Sequence, residues 1–580
     1  MQDFISTHAD KAWVNNVQAK LALRSVKGGR FHKVYNLMKT KRLARIAIAS
    51  VLLNRGARTP GIDGKSKENY ATLRSRYALV DEIISEIKAK RYRPLPVRRV
   101  YIPKANGKTR PLGIPTIKDR VVQEMLRQIL EPIYEGKFHK HSYGFRPYRS
   151  THHAAVRLHQ LHHRFGYDWA VEGDIKACFD EIEHDALIRI LKRVIGDGRV
   201  IHLIRNMLSA GIIDDGILTF PDRGTPQGGI VSPLLANIFL NDLDQFISNM
   251  WEAYSGNARR SLPGPGRFIV RYADDFVVTC RTEEDALTVK ELVKEFLSNI
   301  GLELSNEKTH VTHISDGYDF LGFNFRRFRN QVVLVQPSKV ALKKFRRTFR
   351  KRLIDGIYKH GFSIEMIRYV NSLIRSWGHY YKWVSSKRAF NALDHFMWWT
   401  CLRRTKRVKI RFPVRKIVRD HFMSQRFSSR KKERIHNALT FGIWIKRPVL
   451  AEMLVRLSNI PIVYMSYHPQ LNPYLPGDRD VLEKRRTLSY EGDIPKPLIP
   501  SITGGYGPGW RSTRSAVLRR DHHRCTKCGT KEAPLHVHHV RLPSGTLGAE
   551  NLDNLTTLCG QCHADTHKVK SVVVTSQTSH

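Results

Sequence analysis

Apolar residues recur at helical spacing through most of the first ninety positions, as in "FHKVYNLMKTKRLARIAIASVLL" (residues 31–53), and predict helices broken by the glycine-rich connector "GARTPGIDGKS". Between 91 and 116, "RYRPLPVRRVYIPKANGKTRPLGIPT", the period shortens to alternating apolar and basic residues around Asn106-Gly107, a β-hairpin signature. Residues 151–165, "THHAAVRLHQLHHRF", return to helical spacing with Ala154, Leu158, Leu161 and Phe165 on one face and histidines on the others. The paired histidines do not share a face and no acid joins them, so a surface helix is expected there rather than a zinc site. "DWAVEGDIKACFDEIEHDAL" runs from a strand into a helix starting near His184, which sets Asp174 at a strand's C-terminal end. "RGTPQGGIVSPLLANIFLNDLD" (223–244) reads as a close-approach loop leading into an apolar helix. Phe268 to Val270 and Phe276 to Val278 read as two short strands with Asp274 and Asp275 at the tip between them. In "ALKKFRRTFRKRL", Leu342, Phe345, Phe349 and Leu353 share one helical face and basic residues fill the rest. From 451 to about 510 the pattern weakens and ends in "GGYGPGW", read as a small module and a linker.

At 580 residues and 41% hydrophobic, the chain is long enough for several ordinary cores. Charge changes the picture more than composition does. Lysine and arginine number 98 against 52 acidic residues, a net +46, so a polyanion is the expected partner, and phosphate neutralisation favours nucleic acid over a membrane surface. Residues 338–450 alone hold 30 basic against 5 acidic residues, a net +25, together with five of the nine tryptophans: Trp377, Trp383, Trp398, Trp399 and Trp444. Basic helices interleaved with aromatics suit a nucleic-acid cradle. No apolar run is long enough to span a bilayer, and the N-terminal "MQDFISTHADKAW" lacks the apolar segment of a secretory signal.

Against that basic background the paired carboxylates need a reason. Adjacent acids at a tip repel unless a proton or cation is shared, and carboxylate oxygens suit Mg²⁺. A solvated turn would also carry such a pair, so the other elements decide. Cys178, Cys280 and Cys401 lie far apart and read as small buried hydrophobes. Cys525, Cys528, Cys559 and Cys562 instead form C-x2-C, thirty residues, C-x2-C, a spacing suited to one tetrahedral Zn²⁺ rather than to disulfides.

"VYIPKANGKTRPLGIPTIKDRVVQ", "SYGFRPYRSTHHA", "GDIKACFDEI", "GTPQGGIVSPLLANIFLNDLD", "RYADDFVV", "LSNEKT" and "FLGFNF", in this order and preceded by "GIDG", resemble the group II intron-encoded reverse transcriptases over roughly residues 50 to 330. The resemblance implies a right-hand polymerase with α/β fingers and palm and a helical thumb. Asp174 and Asp274 would hold two Mg²⁺ ions roughly 3.5 to 4 Å apart, with Asp275 in support. Phe179 matches the steric gate against a ribose 2′-hydroxyl, so deoxynucleoside triphosphates are the expected substrate. Lys104 and Arg110 match triphosphate contacts of the fingers, Gln227 lies in the loop lining the nascent pair, and Lys308 matches a lysine near the leaving group. The basic region is similar to the family's thumb and maturase domain, which grips intron RNA.

Around the four cysteines, "LHVHHV", "NLTTLC" and "CHADTH" resemble an HNH nuclease, a ββα-metal module. By that likeness His539 is the general base and Asn554 orients it or its loop. His538 and His563 bind a divalent ion, Mg²⁺ by expectation, with His567 as a further ligand. A structural zinc ribbon accounts for the cysteines alone. The expected organisation is therefore multidomain α/β plus α. An N-terminal helical extension and the start of the fingers occupy 1–90, fingers and palm 91–335, and the thumb 336–450. A DNA-binding region and linker follow at 451–509, then the HNH module at 510–570 and a tail at 571–580. The expected function is intron RNA binding, assisted splicing, nicking of target DNA and target-primed cDNA synthesis, in a bacterial cytoplasm beside the nucleoid, with an organellar host left open. A retron, diversity-generating or CRISPR-associated reverse transcriptase, and a non-catalytic RNA-binding splicing factor, are the competing readings.

Overall fold

The computed structural model describes residues 5–103, 107, 109–225, 228–252, 266–424, 439–447, 450–463, 469–491, 516–531, 535–539, 555–559, 561–562 and 565. They fall into two compact units, one of Phe4–Thr487 and one of Leu488–His580 with Met1–Asp3.

In the larger unit the amphipathic N-terminal stretches are helices His8–Val26, Lys41–Leu53 and Leu73–Lys88. The first and second pack on helix Ile117–Glu135, and the third packs beside the second. Strands β1 (Val97–Pro103) and β2 (Thr109–Ile114) form the basic hairpin, paired from Arg98 with Ile114 to Pro103 with Thr109. Strand β3 (Trp169–Asp174) starts a second sheet. The chain then returns to the first sheet through β4 (Ile212–Asp214), parallel to β1, and β5 (Ile217–Thr219). The second sheet is completed by β6 (Phe268–Tyr272), β7 (Asp275–Cys280) and β8 (His310–His313), in the order β6-β7-β3-β8 and antiparallel throughout.

Alternation along these strands assigns the two faces of that sheet to different cores. Val171, Ile269, Phe276 and Val278 join the core shared with the N-terminal helices and with helices Ser232–Glu252 and Glu283–Asn299. Ala170, Val270 and Val277 face the other way, into a core that continues through helix Thr151–Arg164 and the basic region. The histidine-rich helix is consequently no surface helix. His152 Nε2 bonds the Tyr380 carbonyl at 2.6 Å, His159 Nε2 the Val333 carbonyl at 3.1 Å, and buried His162 reaches the Tyr318 hydroxyl at 2.7 Å. Its apolar face meets the sheet, and its histidines meet the elements that follow.

Those elements are a small antiparallel sheet of β9 (Tyr318–Phe320), β10 (Phe323–Arg327) and β11 (Val333–Pro337), then helices Lys339–His360, Ile364–Tyr381, Lys387–Val408 and Val414–His421. Ser338 and Ser363 cap two of these helices by accepting the amides of Ala341 and Met366. Phe345, Phe349 and Leu353 are buried as their spacing requires, each contributing about 1.5–3 kcal/mol. Strands β12 (Phe422–Met423), β13 (Thr440–Lys446) and β14 (Leu450–Met453) add a second small sheet. Leu454, Leu457 and Ile460 share the helical core, so this core runs on past residue 450.

In the smaller unit, β15 (Leu535–His539) and β16 (Leu555–Cys559) pair antiparallel over a small core of Val517, Leu518, Val537 and Leu555.

Candidate active site

Strand register brings the three palm acids together. Asp174 ends β3 directly opposite Asp275, which starts β7, and Asp275 also pairs with Tyr272 at the end of β6. Only Ala273 and Asp274 are left to turn the chain, and Ala273 does so at φ +60°, a left-handed conformation that costs a non-glycine residue about 1–2 kcal/mol.

Arg271 holds that turn in place. Its side chain is fully buried, and all its donors are taken: Nε and Nη2 fork onto Asp244 at 2.8 and 2.6 Å, Nη1 meets Asn237 and the Ala273 carbonyl at 3.1 and 2.8 Å, and Nη2 also reaches Ser142. Asn237 in turn donates to the Gly144 carbonyl at 2.8 Å. Gly144 lies so close under the tip that a Cβ there would stand 2.4 Å from the Ala273 nitrogen, so only glycine fits. None of these supporting residues stood out in the sequence as part of the site. The one signal was a lone arginine inside an apolar strand, which needs a buried partner.

The acids repel as expected. Burial raises the Asp274 carboxyl, and the Asp174 charge adds to it. Burial followed by the charges of Asp274 and Asp174 pushes Asp275 up to about 7. Lys308 lies 2.8 Å from Asp174, and that hydrogen bond raises the lysine in return. A cluster that cannot keep all its charges near neutral pH by itself is a donor set for divalent cations, so the residues present fit Mg²⁺. Cys178, beside these acids, is pushed up to about 12 by burial and offers no nucleophile.

Beyond the end of β3, Phe179 is buried in a short helical turn, with the Phe145 ring edge-on at 6.3 Å. The glycine-rich loop docks there, the amides of Gly224 and Thr225 donating to the carbonyls of Ile182 and Phe179. Gly228, at φ +117°, approaches the fingers so closely that a Cβ would meet the Gly113 oxygen at 2.5 Å. Arg110 is exposed on β2, and its charge opposes the rise in Asp274. Lys104 and Gln227 lie outside the described residues.

In the smaller unit the Cys525, Cys528, Cys559 and Cys562 sulfurs all lie within 4.8 Å of one another, able to hold one metal ion. Burial raises the Cys525 thiol, but amide hydrogen bonds from Cys559, Cys528 and Lys527 outweigh it and bring the group down to about 6, favouring a thiolate ligand. The module is braced around this cluster by Asp521, which accepts the Thr557 amide at 2.9 Å, and by Arg520, which donates to the Leu555 carbonyl. His538 is buried on β15 opposite Thr556, and His539 pairs with Leu555. Asn554, His563 and His567 lie outside the described residues.

Three family models match in succession: reverse transcriptase (RNA-dependent DNA polymerase) at 102–325, the group II intron maturase-specific domain at 342–422, and HNH endonuclease at 524–568. Among curated proteins, YkfC of Escherichia coli K12 is 36% identical over 56% of this chain and 90% of its own length. The group II intron-encoded protein LtrA of Lactococcus lactis subsp. cremoris is 32% identical over 64% of this chain and 74% of its own. A telomerase from Candida albicans aligns at 14% identity and a TM-score of 0.32, over 55% of this chain and 61% of that one, a likeness too slight to bear on the fold. No helix among the described residues is long and apolar enough to cross a membrane. With its palm acids on one sheet, its basic helices and its terminal cysteine module matching three domains in order, the chain belongs to the group II intron-encoded proteins, RNA-directed DNA polymerases with a maturase domain and an HNH endonuclease.

Proposed function

We propose that this protein drives retrohoming: it binds its intron RNA and assists splicing, nicks target DNA with the HNH module, and copies the RNA into cDNA from the cut strand. The supporting observation is the three-carboxylate cluster in one chain with a maturase domain and a nuclease module. Asp174 and Asp274, supported by Asp275, hold two Mg²⁺ ions, which when bound supply the charge that activates the primer 3′-hydroxyl and offsets the leaving pyrophosphate. Arg110 and Lys104 grip the triphosphate, Gln227 lines the nascent pair, and Lys308 offers its ammonium to the leaving group. Phe179 closes the ribose side against a 2′-hydroxyl, selecting deoxynucleotides. In the nuclease, the four cysteines take Zn²⁺ as a structural staple. His539 draws the proton from water and Asn554 orients it, while His538, His563 and His567 hold a divalent ion, Mg²⁺ in this reading. The partners are intron RNA, target DNA and deoxynucleoside triphosphates, in a bacterial cytoplasm at the nucleoid.

The test is His539→Ala. Zinc content stays normal and extension of a pre-cut primer continues, while nicking of target DNA stops. A variant that nicks at the normal rate reduces the module to a structural ribbon and removes the nicking step. Locating the gene outside any structured intron RNA would favour a retron-like enzyme instead.

A further inference from the structure

Between helices Lys339–His360 and Lys387–Val408 runs a groove of about 870 Å³, with Arg346 and Arg350 on one wall and Arg403, Arg404 and Arg407 on the other. Elsewhere in the larger unit arginines are tied to acids, as Arg45 is to Asp10 and Arg327 to Asp168. These five arginines pair with no carboxylate among the described residues. The Arg346 and Arg350 guanidinium groups lie 5.6 and 5.1 Å from the Phe396 ring centre, an arrangement that spreads them along the groove. Across the ridge made by His395 and Trp399, a second cavity of about 500 Å³ opens, walled by Met397, Trp398, Phe441 and Leu454. Its one acid, Asp394, is already satisfied by the amides of Leu457 and Ser458 at 2.8 and 3.0 Å. Trp399 stands 42% exposed on the ridge, its indole donating to His395 at 3.0 Å and its ring edge-on to Trp398 at 4.9 Å.

We propose that this pair of cavities is a binding site for single-stranded RNA with one splayed base: phosphates lie along the arginine groove, and the base turns over the Trp399 ridge into the aromatic cavity. The charge of the groove demands a polyanion. The aromatic cavity beside it, whose lining arginine, Arg456, lies 3.7 Å from Asp394, fits the face of a base rather than more phosphate. A fully paired helix cannot deliver a base there without unstacking it, so an RNA bulge or loop is the ligand. The proposal rests on the RNA-binding reading of this domain and adds to it a site that distinguishes unpaired from paired RNA.

The full-length protein is titrated with three short RNA hairpins of equal length: fully paired, with a single-nucleotide bulge, and with an abasic residue at the bulge. The bulged hairpin binds about tenfold more tightly than either of the others, the gain of one stacked base. Trp399→Ala brings the bulged hairpin down to the affinity of the paired one, while Trp399→Phe retains most of the preference. Arg403→Gln combined with Arg407→Gln weakens all three and flattens their salt dependence. Thermal melting confirms that each variant is folded. Equal wild-type affinity for all three hairpins, or a preference that survives Trp399→Ala, overturns the base site while leaving RNA binding intact. Failure of the wild type to bind any hairpin overturns the broader reading. A stronger preference for the corresponding DNA bulge overturns the assignment to RNA.

Discussion

Arg271 in the palm is fully buried with every guanidinium nitrogen hydrogen-bonded, whereas Arg346, Arg350, Arg403 and Arg407 in the thumb stand exposed with no carboxylate partner among the described residues. The same side chain serves opposite ends. In the palm its charge is spent inside the protein to hold a strained turn, which gives the acids a defined geometry at the cost of desolvation. In the thumb the charge is left for a ligand, giving affinity that tolerates small shifts and depends on salt. A polymerase site needs atoms held in place, and an RNA surface needs available charge.

The largest break in this comparison is Asp274→Ala, which removes one of the three clustered carboxylates proposed to hold metal without touching the thumb. Primer extension on an RNA template should fall by about 1000-fold or more, with RNA affinity measured by filter binding unchanged. An equal loss of RNA binding in a folded variant would show that the two regions are not separable in this way.

Next comes Arg271→Met, which leaves Asp244 buried without its counter-charge and should cost about 3–5 kcal/mol in urea unfolding. Arg346→Met, on the exposed wall, should stay within about 0.5 kcal/mol. Similar losses at the two positions would erase the distinction between a positioning and a ligand-binding arginine.

A smaller effect is expected where the two regions meet. Burial holds His162 down at about 4, below its ordinary value of 6.5, so the folded protein keeps this ring neutral while the unfolded chain protonates it. Its contribution is therefore complete above pH 6.5 and is lost as the pH falls toward 4, roughly 2 kcal/mol being gone at pH 5. Calorimetry at pH 7 and pH 5 should show this loss, and His162→Gln should reduce the difference between the two conditions. A wild-type stability that does not change over this range would mean that the histidine seam does not titrate as buried.

The smallest effect sharpens the thumb alone. Reversing the charge of Arg346, Arg347 and Arg350 should lower the slope of log affinity against log salt by roughly 0.7 to 0.9 for each phosphate left without its arginine. An unchanged slope would place the phosphate-binding groups on some other helix.

Much of the site was legible because its signals are local. The alternation around Asp274 and Asp275 specified a hairpin tip, and the run before Asp174 specified a strand end. The C-x2-C pairs specified a metal cluster, and the spacing of Phe345, Phe349 and Leu353 specified a buried helix face. Resemblance placed Lys308 near the leaving group, but its hydrogen bond to Asp174, 134 residues away, had no signal in the sequence. Arg271 was harder still, because its partners Ser142, Asn237 and Asp244 come from two separate segments and none is unusual where it stands.

What the sequence determined by itself was the set of elements, their amphipathic faces, the excess of positive charge and the residue types able to hold metal. The tertiary structure alone decided that the palm sheet divides its two faces between two cores, and that the histidine helix is covered by the thumb rather than by solvent. It also decided that the apolar core of the basic region continues to Ile460, and that five arginines line a groove without acids. The reason is range: periodicity and turn chemistry act over a few residues and are written in each segment, whereas burial and charge pairing depend on which distant segments pack together.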